Sequence, residues 1–164
     1  MAESLRTRLA AKAPRRIVFP VQVSDPGKAT EFVAEAEQKL KWLNVTALTV
    51  DDKAKHEEAI RAAEENVADA RAALAEHFLD VEFQAGHPAD VERILADNAD
   101  DKGQWNVKAL PALAALSVVD PELQDAEWWQ AQFEGLWSLG ERDTLWAVLI
   151  DLNASAPPTS VPKG

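Results

Sequence analysis

Residues 57–85 read EEAIRAAEENVADARAALAEHFLDVEFQA, and the change of period inside this stretch decides the fold. Its first part places Ile60, Ala63, Val67, Ala70 and Leu74 at spacings of three, four, three and four, with Phe78 four further on. That is a helical heptad seam. Glu57, Glu58, Arg61, Glu64, Glu65, Asp69 and Arg71 fill the outer face. Alanine at alternate seam positions lets a neighbouring helix approach closely. The period then shortens to two: Val81, Phe83 and Ala85 alternate with Asp80, Glu82 and Gln84. Alternation of this kind predicts a short strand with one apolar face.

The segment before the seam supplies a partner for each part. From Arg16, Ile17, Phe19, Val21 and Val23 alternate with Val18, Pro20 and Gln22, predicting a first strand. Pro20 cannot donate to a ladder, which points to an edge strand or a bulge. Ser24-Asp25-Pro26 combines a capping side chain with proline at a helix start. Phe32, Ala36, Leu40 and Leu43 then predict one apolar face on a helix from about Pro26 to Leu43. Residues 44–50 read as a connection, with continuation of the helix as the alternative, and Asp51 and Asp52 as caps for the seam helix. The simplest arrangement is an antiparallel αα-hairpin. Its rival sets the seam against another subunit or a client protein. Two one-faced strands flanking the hairpin most simply pair with each other, because an isolated strand leaves its backbone groups unsatisfied.

Beyond the second strand, His87-Pro88 opens a short helix with Val91, Ile94 and Leu95 inward, followed by a polar loop from Asp97 to Gly103. Pro111 starts a small-residue helix ending near Val119. Asp120-Pro121 is a further cap-plus-proline start, and its helix presents Leu123, Ala126, Trp129, Phe133 and Trp137. Ser138 and Glu141 form a capping box for a last helix carrying Leu145, Trp146, Leu149 and Leu152. The expected class is therefore mainly α with a small β element (α+β): two short paired strands flanking a projecting αα-hairpin, then a C-terminal helical subdomain. Four regions follow: a flexible basic arm over 1–14, the strand pair with its inserted hairpin over 15–86, the helical subdomain over 87–153, and a disordered tail over 154–164, proline-containing and without large residues.

Composition narrows the chemistry. The chain has 164 residues, enough for one domain with a real core. The absence of cysteine excludes disulfides and thiolate chemistry. A net charge of −11 disfavours nucleic acid, which needs a concentrated basic surface. The longest apolar stretch, Ala109 to Val119, is too short to span a bilayer. The three histidines, His56, His77 and His87, lie in separate elements outside any ligand motif. There is no glycine-rich phosphate loop and no serine in a nucleophile-elbow context. The carboxylates read as solvated helix faces. The reading is a non-enzyme without cofactor or metal.

Aromatic placement points instead to protein contact. Five of the six tryptophans lie between Trp105 and Trp146. Most suit the core of a small helical subdomain. Adjacent Trp128 and Trp129, however, point about 100° apart on a helix, so burying both requires cover on two sides. Trp42 beside Leu43 raises the same question on the hairpin. The candidate interaction residues are Trp42, Ile60, Val67, Leu74, Phe78, Trp128, Trp129 and Trp137.

Over residues 15–153 the order of motifs resembles the tail assembly chaperones of long-tailed phages, in particular those infecting actinobacteria. The shared features are an opening strand followed by Asp25 and a charged Ala/Glu-rich helical stretch, then Val81-Glu82-Phe83-Gln84-Ala85 leading into a short helix. Trp105 and Leu110-Pro111-Ala112-Leu113, Asp120-Pro121-Glu122, a Trp-containing helix, and Ser138, Gly140 and Glu141 before a helix ending at Asn153 complete the pattern. Asp97-Asn98 stands where the family usually has His-Pro-Pro, and Leu110 where it has an aromatic. The resemblance implies a non-enzymatic protein of the host cytoplasm during infection, absent from the mature virion. Its implied partner is the tape measure protein, kept soluble for tail tube polymerisation, with the tail tube subunits and further copies of itself as additional candidates.

Two other non-enzymatic readings compete: a structural virion component for tail or head completion, and an adaptor that dimerises through the helical hairpin. A small-ligand enzyme would require an enclosed pocket with convergent polar groups.

Overall fold

The computed structural model describes residues 3–156. Among them the chain is mainly helical with one two-stranded antiparallel sheet, an α+β fold. It divides into two compact units: residues 20–80, and the residues before this segment together with those after it.

Strands β1 (Arg16–Gln22) and β2 (Phe78–Gln84) are equal in length and hydrogen-bonded to each other. The Val23 N–H donates to the His77 carbonyl at one end, and the Ala85 N–H to the Arg15 carbonyl at the other, each at 2.9 Å. Both ends therefore share one register with no bulge between them, which sets Ile17 opposite Phe83 and Phe19 opposite Val81. Pro20 falls at a non-hydrogen-bonded pair in this register, so its missing N–H costs no ladder bond. The edge-strand alternative thus holds, and the bulge does not. β2 begins two residues before the alternation that starts at Asp80: Phe78, which followed the helical seam by spacing, is its first residue.

In the unit of residues 20–80, α2 (Gly27–Thr46) and α3 (Lys53–Ala75) form the expected hairpin. The Asp25 carboxylate accepts from the Gly27 N–H at 2.9 Å, and Asp52 caps α3 by accepting from Lys55. Over residues 44–50 the alternative of a continued helix holds as far as Thr46, and a 3-10 turn at Ala47–Thr49 leaves a shorter connection. On α3 the seam is as read: Ala63 and Val67 are buried, with Ile60, Ala70 and Leu74 half-buried. On α2 one correction is needed. Phe32, placed on the inner face, is 62% exposed. The inner face is Ala29, Val33, Ala36, Leu40 and Leu43, a four-three-four-three row that matches the heptad of α3. Phe32 lies one position before Val33, about 100° around the helix, and so falls off the seam.

The second unit holds the larger core. α4 (Pro88–Asp97) starts at His87, whose ring accepts from the Ala89 N–H, and buries Val91 and Leu95. α5 (Leu110–Ser117) buries Leu110, Leu113 and Ala114. Asp120-Pro121 opens only a 3-10 turn at Pro121–Leu123, not the long helix expected there. A fresh helix, α6 (Ala126–Gly135), starts at Asp125, whose carboxylate accepts from Glu127 and Trp128 N–H groups. α7 (Leu139–Ala154) carries the predicted capping box: Ser138 accepts from Glu141 N–H, and Glu141 accepts from Ser138 N–H. Phe83, Trp129, Phe133, Leu145, Leu149 and Leu152 close this core. Each such side chain contributes about 2 kcal/mol of burial. β2 also bridges to Val118 through Phe83, and the Val119 N–H donates to the Glu82 carbonyl at 3.0 Å.

The basic arm contains a short helix, α1 (Leu5–Ala10), capped by Ser4 and without a buried residue. Of the tail expected over 154–164, Ala154 closes α7, and residues 157–164 lie outside the described residues.

Candidate protein-interaction surface

The hairpin is long for the core it owns. Its helices have 20 and 23 residues, yet the buried apolar side chains along them are Ala29, Leu43, Ala63 and Val67. Small seam residues bring the helices together and leave their larger neighbours on the flanks. Along one flank, Glu37, Leu40, Asn44 and Val45 of α2 face Val67 and Arg71 of α3 across a shallow groove. At Arg71 this groove adjoins a second depression lined by Pro20, Leu74, Phe78 and Leu79. The opposite flank carries a depression between Phe32, Ala36, Lys39, Ala63 and Asn66.

Arg71 and Glu37 mark the first flank. The Arg71 Nη2 and Nε both donate to one Glu37 oxygen, at 2.6 and 3.1 Å. Both side chains are about half exposed, so the pair contributes less than about 1 kcal/mol. Its role is to fix two charged side chains beside an apolar trough. Val45 and Leu79 are 71% and 61% exposed along that trough.

The candidate residues separate into three groups. Val67 is closed inside the seam, and its side chain also floors the groove. Ile60, Leu74 and Phe78 are half-buried, the last two lining the second depression. Trp42 is 63% exposed, standing about 100° around α2 from the buried Leu43. Trp129 is corrected from interaction residue to core: it is 2% exposed, and its indole N–H donates to the Leu123 carbonyl at 2.7 Å. Phe133 stacks on it at 5.4 Å, and Trp137 meets it edge-on at 6.2 Å as a half-buried flank of the same core. Trp128 stands edge-on to Trp129 at 5.0 Å and remains partly exposed. The geometric argument that these adjacent indoles must diverge is answered in this way.

Sequence reading missed Val45, Leu79, Leu136 and Leu139, all exposed apolar side chains. Leu79 continues the alternating row of Val81 and Phe83 by spacing yet stands exposed at the start of β2, and Val45, Leu136 and Leu139 lie outside the rows read from the sequence. It also missed Lys108 and Arg142, which line a separate pocket in the C-terminal unit.

The histidines have local roles. His56 Nε2 lies 2.8 Å from the Leu43 carbonyl across the hairpin turn, and His77 Nδ1 lies 2.7 Å from the Ser24 hydroxyl. Among the described residues no group of three or more His, Asp or Glu side chains is arranged to hold a metal ion, and no helix is long and apolar enough to cross a membrane. No protein-family model, curated protein or solved structure matches the chain.

Proposed function

We propose that this protein is a phage tail assembly chaperone that holds helical segments of a tape measure protein in solution until tail tube subunits enclose them. The observation that carries the reading is the flank of the hairpin: a trough between two long helices, with exposed apolar side chains at Val45 and Leu79 and charged side chains at Glu37 and Arg71. An amphipathic client helix lays its apolar stripe into such a trough, and flanking charges select its register. The order of sequence motifs over residues 15–153 supports the tail-assembly setting. A net charge of −11 keeps a loaded complex dispersed. In this reading the protein acts in the host cytoplasm and is absent from the finished virion.

Co-expression with the tape measure protein of the same phage tests the proposal. The expected result is a soluble client that co-purifies with this chain. A client that remains insoluble overturns the reading, as does stoichiometric recovery of this chain from purified virions.

A further inference from the structure

The pocket in the C-terminal unit has a different chemistry from the hairpin flank. Val107, Lys108, Pro111, Gln130, Phe133 and Arg142 line it. Two of these are cations, in a chain whose net charge is −11. The ion pairs among the described residues use Arg15, Arg16, Arg71 and Arg93, so neither Lys108 nor Arg142 is in an ion pair there. Arg142 sits in the first turns of α7, and its Nε is buried without a hydrogen-bond acceptor. A buried N–H left unmatched is costly, and a charged one more so. Glu141, the preceding residue, accepts from the Ser138 N–H, and Glu134 accepts from the Gln130 amide nitrogen. The Gln130 oxygen forms no hydrogen bond of its own among the described residues.

We infer that this pocket binds a carboxylate side chain presented by an acidic, partly apolar peptide segment. A carboxylate matches the charge and the planar fork of the Arg142 guanidinium at the pocket wall. Lys108 adds a second positive charge at the rim. Val107, Pro111 and Phe133 provide apolar walls for the stem and flanks of the peptide, which a small hydrated anion would not use. The Gln130 oxygen is available to a peptide N–H. The site is separate from the hairpin flank, and the inference stands whether or not that flank binds a helical client.

The Arg142 Nε–H resonance reports on the pocket directly in nitrogen–proton correlation spectra of the full chain. The probes are acetyl-Leu-Glu-Leu-amide, its glutamine counterpart, and inorganic phosphate. The Glu peptide is expected to move the Arg142 resonance saturably, and to bind at least tenfold more tightly than the Gln peptide. Lys108→Gln should weaken the Glu peptide several-fold, and Arg142→Gln should remove its binding. Equal binding of the two peptides overturns the inference. So does a saturable response to phosphate with none to the Glu peptide, which would assign a free-anion site. An Arg142 resonance unmoved by the Glu peptide also overturns it, and that readout uses the unmutated protein.

Discussion

The side-chain oxygen of Asn153, in the last turns of α7, accepts a hydrogen bond from the Gly86 N–H at 2.8 Å. The amide nitrogen of the same side chain donates to the Ser117 hydroxyl and to the Leu149 carbonyl, both at 2.9 Å. One side chain therefore ties the segment between β2 and α4 to the end of α5. Ser117 is 1% exposed, so water cannot replace this partner. Asn153→Ala leaves the Gly86 N–H and the Ser117 hydroxyl without their bonds, and should lower stability by about 2 kcal/mol. Urea denaturation is the check: the midpoint should fall while the slope stays unchanged.

Gly86 is held there for a steric reason as well. A Cβ at this position would lie 2.7 Å from Leu116 Cδ2 and 3.3 Å from Val91 Cγ2. Gly86→Ala should therefore cost about 1–3 kcal/mol through overpacking. Leu116→Ala removes the nearer atom. In the double variant, the Gly86→Ala penalty should shrink, giving a measurable coupling energy in a double-mutant cycle. An undiminished penalty would place the strain elsewhere.

Adjacent tryptophans should respond in opposite ways. Trp129 is enclosed by Phe83, Phe133 and Trp137 and spends its N–H on Leu123. Trp129→Ala should cost about 3–5 kcal/mol, as large aromatic-to-alanine changes in cores do. Trp128 is 40% exposed and leans on Trp129 by one edge. Trp128→Ala should cost no more than about 1.5 kcal/mol, the scale of one aromatic pair. Thermal melts of the two single variants separate the two roles.

These contrasts show what periodicity conveys. The α3 seam, the Ser138–Glu141 capping box and the one-faced strands are local patterns, and each is present, with Phe78 passing from the seam to the start of β2. Phe32 misled because size outweighed spacing: Ala29 and Val33 complete the true seam of α2 with smaller side chains. The Asp120-Pro121 start misled for a different reason. The signal is real, with Asp120 accepting from the Glu122 N–H, but a second cap at Asp125 restarts the chain five residues later. Arg142 and Lys108 come together from α7 and from the turn before α5, a juxtaposition that no local pattern announces. The groove was legible only in part: Val67 and Leu74 were named, Val45 lies off the α2 seam, and Leu79 continues the strand row of Val81 and Phe83 where the expected strand had not yet begun.

Core and surface can be separated on the hairpin by two variants. Val67 is 6% exposed between α2 and α3, so Val67→Asp buries an unpaired charge in a seam that owns few other buried side chains. It should melt the hairpin, with a loss of helical circular dichroism, since a buried charge without a partner is not tolerated. Val45→Ser combined with Leu79→Ser alters side chains that are already exposed, and should leave the helical signal intact and stability nearly unchanged. Both positions nevertheless line the same flank, one at each end of the trough. If that flank receives a client helix, the double variant should stay folded yet fail to keep the tape measure protein soluble on co-expression. A folded double variant with full solubilising activity would move the client to another face. Phe32→Ser, on the opposite flank, is the matching control and should retain activity.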